Sequence, residues 1–457
     1  MKVLPARLRE WSEDLLLKRV VRNSTFLFAS NAINAILSIL TANILGVVGF
    51  GIVGIVISFV SNINRLLSFR MGDVVVKYMG EYLAKEDLMR AAAVVKAAAL
   101  IEGITSIAAY FILAALAPLG AKYLGDDPAL VPLFLLYGLT ILANITTETA
   151  TGVLQIGNHF RSQAAINLLQ SLVTAGLILY AYLSHGGLLV VLIAYLAGKL
   201  ILGLSPILLA IYWLPRMLGK DWWKASFSLL PPTRELIRYS LSTNFSGTIN
   251  MVARDSEILW VGYFFSPLVA GYYKTALAII NLIVMPITPF ISTTFPEINR
   301  SVVKEQWGKL VILLRRVTIV AAGWTGMVTI GLVLFGQRVL FEPWNLFGRT
   351  ISIYKSDFAP ALVILMVLLA GFGTANILFW NRPLLLALGM AEIPLKIGFW
   401  AMVAKVILAF IFVPTTGYLT EAGLLSAYFI VSVGLMVYKG LKEVSRRRIS
   451  SLVTEAI

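Results

Sequence analysis

The sequence predicts an all-α polytopic membrane protein of about twelve transmembrane helices. They form two six-helix lobes related by a pseudo-twofold axis along the membrane normal. Composition, a ladder of apolar runs and an internal repeat predict it. Of 457 residues, 59% are hydrophobic and 13% charged, with a mean hydropathy of +0.85. Soluble domains carry about 25% charged residues. The 38 basic and 23 acidic side chains cannot coat a globule of this size, so a soluble enzyme is excluded. With no cysteine, disulfides, thiolate metal sites and cysteine nucleophiles are excluded too. His159 and His185 are the only histidines, so a multi-histidine metal site is not expected, and no catalytic residue is singled out.

The elements follow in order. Residues 1–23 read as a cytoplasmic amphipathic segment, with Leu8, Trp11, Leu15 and Leu16 at helical spacing among Arg7, Arg9, Lys18 and Arg19. A crossing needs about 20 mostly apolar residues. Spans 1–6 are placed at 24–45, 48–68, 94–117, 131–154, 163–184 and 188–213, and they build an N-lobe over 24–213. A cytoplasmic linker, 214–238, contains Pro231-Pro232. Spans 7–12 are placed at 239–263, 268–292, 314–336, 359–380, 393–413 and 422–440, a C-lobe over 239–440. A cytoplasmic tail, 441–457, closes the chain.

Charge sets the orientation. With both termini cytoplasmic, the inner segments hold 28 Lys and Arg and the outer loops 4. By the positive-inside rule the chain is expected in the cytoplasmic (inner) membrane with both termini inside. The same bias accounts for most of the net charge of +15 without nucleic acid as a partner.

Sliding the chain on itself reveals a repeat. At an offset of 216, Ser30-Asn31-Ala32-Ile33-Asn34 falls on Ser246-Gly247-Thr248-Ile249-Asn250, and Gly46 on Gly262. At 219, Lys85-Glu86 falls on Lys304-Glu305; at 232, Gly157 falls on Gly389. A six-span unit returns the chain to its starting side, so the two copies share one topology. Two such bundles enclose a cavity, an arrangement suited to alternating access.

Polar stripes mark the spans expected to line it. Span 1 carries Asn31, Asn34, Ser38 and Thr41 on one helical face; span 7 carries Thr243, Gly247, Asn250, Arg254 and Glu257. Span 2 adds Ser58, Asn62 and Arg65, and span 8 adds Lys274, Asn281 and Thr288. Polar faces avoid lipid and point at protein or water. Glu257 is placed to pair with Arg254 at i+3. Lys199 and Lys405 lie mid-span; Glu102 and Glu148 are further intramembrane acids. The substrate-binding candidates are Arg65, Arg254, Lys274, Asn34, Asn250, Asn62 and Asn281. The ion-coupling candidates are Asp255, Glu257 and Glu148. An anion site and a proton or sodium site are both compatible with this set.

Three stretches carry a family resemblance: Leu45-Gly46 with Phe50-Gly51; Asp255 to Gly262 followed by Ala270 to Ala276; and the run through Pro286 and Pro289 to Phe295-Pro296-Glu297. Over residues 20–440 the chain resembles the Wzx-type flippases of the multidrug/oligosaccharidyl-lipid/polysaccharide exporter superfamily. The resemblance implies a V of two lobes with a cavity lined by spans 1, 2, 7 and 8. It implies a polyprenyl-diphosphate-linked oligosaccharide moved from the cytoplasmic to the outer leaflet for lipopolysaccharide or exopolysaccharide synthesis. It also implies membrane lipids, a polysaccharide polymerase and glycosyltransferases as partners. A diphosphate needs Arg or Lys.

Two alternatives stay open. An ion-coupled multidrug exporter of the same superfamily would want an acidic cavity, against Arg254 and Lys274. A polytopic polysaccharide-processing enzyme would want positioned carboxylates in a surface loop, where 336–359 offers Glu342 and Asp357. The peptidoglycan-precursor flippase, another relative, implies two further C-terminal spans. No phosphate-binding G-x-x-x-x-G-K-[ST] loop occurs, so no nucleotide cofactor is expected and energy comes from an ion gradient, the membrane potential or substrate supply.

Overall fold

The computed structural model describes residues 15–67, 71–231, 244–245, 247–346 and 349–455. Leu8 and Trp11 of the expected interfacial helix, Pro232 of the linker and Thr243 of the span 7 stripe lie outside the described residues. Ten described helices are long and apolar enough to cross a membrane. Their number agrees with the twelve expected spans once two features are taken into account. Spans 1 and 2 form one helix, Ala29–Leu67, of 39 residues. At 1.5 Å per residue it would run about 58 Å, nearly twice a hydrocarbon core of about 30 Å. Gly46 breaks it, with φ 68° and ψ −179°, a conformation that is essentially glycine's alone. Span 7 is partly outside the described residues, and its remainder is interrupted at 251–256.

Contacts divide the chain into two compact units. Unit 1 holds the described chain before Leu45, Phe59–Lys122 and Asp127–Thr248; unit 2 holds Leu45–Ser58, Tyr123–Asp126 and the described chain from Ile249. The earlier part of span 2 therefore packs with the second half of the chain. A Cβ on Gly51 would stand 1.9 Å from the Pro267 carbonyl oxygen, and one on Gly271 would stand 2.1 Å from that of Val47. Only glycine lets these two backbones meet.

The repeat is visible in the turns. Glu86 and Glu305 both take positive φ (59° and 53°). The Glu86 amide donates to the Leu83 carbonyl and the Asp87 amide to Tyr82; the Glu305 amide donates to Val302 and the Gln306 amide to Ser301. Both are Schellman caps, which satisfy the last carbonyls of a helix, and they stand 219 residues apart as expected. A second pair corrects one alignment. Asn158 and Gly389 are the left-handed residues of equivalent caps, with amide bonds to Gln155 and Leu386. The offset there is 231, so Gly389 matches Asn158 and not Gly157. Each unit also builds a core from matching stretches. In unit 1 it contains Met79, Ala91 and Val95, and in unit 2 Ile298, Leu310 and Leu314.

One feature was not foreseen. In the loop between spans 9 and 10, Trp344–Leu346 pairs antiparallel with Arg349–Ile351. The rings of Phe341, Tyr354 and Phe358, on either side of it in the chain, pack at a tilt, with centroid separations of 6.0 and 5.7 Å.

Candidate functional site

Span 7 shows how backbone and charge are linked. Residues Met251–Asp255 form a π turn, and Ser256 lies outside the helix before it resumes as Glu257–Phe264. A π turn inserts extra residues into the helical register and frees carbonyls. Inside a membrane those carbonyls need partners. The Ser256 hydroxyl donates to Met251 O at 2.8 Å, the Trp260 indole to Val252 O at 3.3 Å, and the Lys405 ammonium to Ala253 O at 3.1 Å.

The break separates Arg254 from Glu257, correcting the expected i+3 pair. Straight-helix spacing would put both on one face, but the π turn rotates them apart. Arg254 is exposed and its Nε donates to its neighbour Asp255 Oδ1 at 2.8 Å. Glu257 is 0% exposed and its Oε1 accepts from Lys405. Lys405 Nζ also lies 3.0 Å from Glu421 Oε1. Lys405 and Glu421 are 3% and 0% exposed. Tyr273, buried on span 8, donates its hydroxyl to the Tyr418 carbonyl beside them. Spans 7, 11 and 12 thus converge on one buried lysine between two buried carboxylates.

Glu421 is the member that sequence reasoning missed. It falls one residue before the expected start of span 12, where it reads as outer loop. The helix starts at Tyr418 and takes Glu421 into the core. The available signal was Lys405, a mid-span cation in need of counter-charge.

Lys274 is engaged inside unit 2. Its ammonium donates to Phe50 O at 3.2 Å and lies 4.0 Å from the Phe50 ring centroid. Asn250 is half-buried and Asn281 exposed. In unit 1, Asn34 is exposed and Asn62 half-buried, while Arg65 is exposed in the last turn of span 2. Lys199 of span 6 is half-buried in the same unit. The span 1 stripe divides: Asn31 and Asn34 are exposed, but Thr41 is 0% exposed and bonded to the Tyr195 hydroxyl at 3.1 Å. Thr41 therefore ties helices together.

Glu148 has an exposed side chain, and its amide belongs to a second break. Span 4 unwinds at Asn144–Thr146 and resumes as Thr147–Ile156. Glu102, 1% exposed, accepts the amides of Glu148 and Thr149, each at 2.9 Å. It is an N-cap supplied from another helix, favoured by the helix dipole.

A family model described as polysaccharide biosynthesis protein matches residues 16–302, more than half the chain. The chain belongs to the polysaccharide biosynthesis protein family. The family stretch contains the breaks in spans 4 and 7, Arg65, Arg254 and Glu257. No curated protein matches the sequence significantly. Solved structures match the fold at low identity. The lipid II flippase MurJ in an inward closed conformation has a TM-score of 0.70 at 16% identity, over 95% of this chain and 91% of that one. An inward-facing multidrug resistance MATE family transporter of the MOP superfamily has a TM-score of 0.68 at 16% identity, over 92% and 96%. A MOP superfamily transporter from Pyrococcus furiosus, described by a binding pocket of reversed polarity, has a TM-score of 0.58 at 16% identity, over 94% and 96%. These likenesses establish the two-lobe fold of MOP-superfamily transporters for this family member.

Proposed function

We propose that the protein is a Wzx-type flippase. It moves a polyprenyl-diphosphate-linked oligosaccharide from the cytoplasmic to the outer leaflet by alternating access, in a cytoplasmic membrane with both termini inside. The observation that carries the reading is the family match over residues 16–302 on a transporter fold. The charges support it. Arg254 is exposed on a broken helix with only a partial screen from Asp255, whose side chain is 27% exposed. Arg65, exposed in the last turn of span 2, adds a guanidinium in unit 1. Guanidinium forks suit the paired oxygens of a diphosphate. A cationic drug would be repelled by these groups, which disfavours the multidrug reading. Lys274, already bonded to Phe50, is left out of the diphosphate site.

The test is glycan export in cells lacking their own flippase, with transporter abundance measured in the membrane. Arg254→Ala abolishes export, and Arg254→Lys restores only part because the bidentate fork is lost. Wild-type export by Arg254→Ala at wild-type abundance would overturn the assignment.

A further inference from the structure

We propose that unit 2 carries a binding site for a phosphate-bearing anion, in a cleft at the turn between the helix Thr288–Val303 and the span 9 helix, Trp307–Phe341. The cleft encloses about 380 Å³. Its lining includes Glu297, Arg300, Ser301, Lys304, Gln306 and Lys309, so three cations stand against one acid. Arg300 and Glu297 approach only to 3.6 Å with both side chains exposed, a pair of little strength. Lys304 and Lys309 form no ion pair among the described residues.

Two further groups of the cleft are unused by the protein. Ser301 is 8% exposed, and its hydroxyl has no hydrogen-bond partner among the described residues. A buried hydroxyl without a partner is costly, and a ligand oxygen relieves that cost. Gln306 precedes the first turn of a 35-residue helix, and its side chain caps no amide there. Asp, Asn, Ser and Thr are the usual caps. Open amides and the helix dipole favour negative charge at this end.

Positive charge on the inner side is expected of any polytopic chain, and the internal repeat supplies the control. At the offset of 219 that aligns the two Schellman turns, Glu81 stands for Arg300, Tyr82 for Ser301 and Asp87 for Gln306, while Lys85 and Arg90 stand for Lys304 and Lys309. In the first copy Lys85 donates to Glu81 at 2.7 Å, and Arg90 pairs with Asp87 at 3.4 Å. Asp87 Oδ1 accepts the Arg90 amide at 3.0 Å and caps the helix Leu88–Tyr123. Tyr82 packs on the unit 1 core, with the Arg90 guanidinium 5.9 Å from its ring centroid. Cations, amides and space are all taken up inside the first copy. The second keeps the cations, loses both acids and exchanges the ring for a small hydroxyl. The turn itself does not require this, because the first copy builds the same turn without it.

The donor set suits phosphate. Arg300 offers a planar fork for two oxygens, the lysines offer compact charges, and the serine hydroxyl and helix amides offer neutral donors. A phosphate group has enough oxygens to engage all of them. Glu305 does not distinguish the copies, since Glu86 holds the same left-handed position. The phosphate can belong to a lipid headgroup or to a soluble compound; the chemistry is shared. The site lies apart from Arg254 and Arg65 in sequence and does not rest on the flippase reading.

The test uses purified full-length protein in a nonionic detergent. Binding of inorganic phosphate and pyrophosphate is read by calorimetry at constant ionic strength, and retention of phosphatidylglycerol by native mass spectrometry. Wild type binds saturably, and whichever probe binds tighter names the source. Arg300→Glu with Gln306→Asp installs the residues of the first copy. It lowers affinity about tenfold or more, while the new cap keeps or raises thermal stability. Ser301→Tyr fills the cleft without altering charge and weakens binding as well. Lys85→Gln with Arg90→Gln removes charge from the first copy and leaves binding unchanged. Absence of saturable binding by wild type overturns the assignment. So does full binding by the folded Ser301→Tyr and Arg300→Glu, Gln306→Asp proteins. An equal loss in the Lys85→Gln, Arg90→Gln protein overturns it too, because that marks a response to net charge alone.

Discussion

Replacing Lys405 with methionine keeps the length of the side chain and removes its ammonium. Glu257 and Glu421, each 0% exposed, then lose their shared cation. Removing one partner from a buried ion pair costs about 3–5 kcal/mol. Loss of the donor to Ala253 O leaves the break in span 7 with a carbonyl short of a partner, for about 1–3 kcal/mol more. Even the lower end of the sum, about 4 kcal/mol, is close to a thousandfold in an equilibrium constant at about 1.4 kcal/mol per decade. The assay is thermal loss of the monodisperse peak in detergent, read by size-exclusion chromatography. Lys405→Met should lose that peak well below the wild-type temperature. The triple variant Lys405→Met, Glu257→Gln, Glu421→Gln removes every charge and should recover most of the loss. Arg254→Ala, which breaks a half-exposed neighbour pair, should shift stability by no more than about 1 kcal/mol. A single Lys405→Met as stable as wild type, or a triple variant no better than the single, refutes the account of a buried lysine balancing two carboxylates.

The remaining predictions concern backbone and topology. Gly51→Ala places a Cβ 1.9 Å from the Pro267 carbonyl oxygen and should cost at least about 1–3 kcal/mol of overpacking. Gly326→Ala, with nothing within 4 Å, should gain up to about 1 kcal/mol of helix propensity; equal melting of the two variants would remove the argument for close approach. Glu305→Gly relieves a left-handed residue at a Schellman cap, where a side chain costs about 1–2 kcal/mol, and should raise the melting temperature. The chain has no cysteine, so single cysteines at Ser184 and Ser450 can be labelled by an impermeant maleimide. Ser184→Cys should label from outside and Ser450→Cys from inside; labelling of both from one side contradicts the topology.

The sequence by itself determined the class of the molecule. Apolar runs of crossing length and a shortage of charge leave only a membrane fold, because lipid demands continuous apolar surface and internally bonded backbone. The repeat was also legible at Lys85-Glu86 and Lys304-Glu305, since a helix stop depends on local geometry. Its later register was off by one, because the left-handed position is filled by Asn158 in one copy and Gly389 in the other.

Partner choice among the charges was not legible. Straight-helix spacing joined Arg254 to Glu257, whereas the π turn at Met251–Asp255 sends them to different surroundings. Lys274 read as a cavity cation but is held by Phe50, 224 residues earlier in the chain. Glu421 read as a loop residue and became the second acid of the buried cluster. Periodicity reports which face a residue shares within a regular helix. It does not report where a helix breaks, or which distant side chain supplies the missing charge; only the packed tertiary structure decides those.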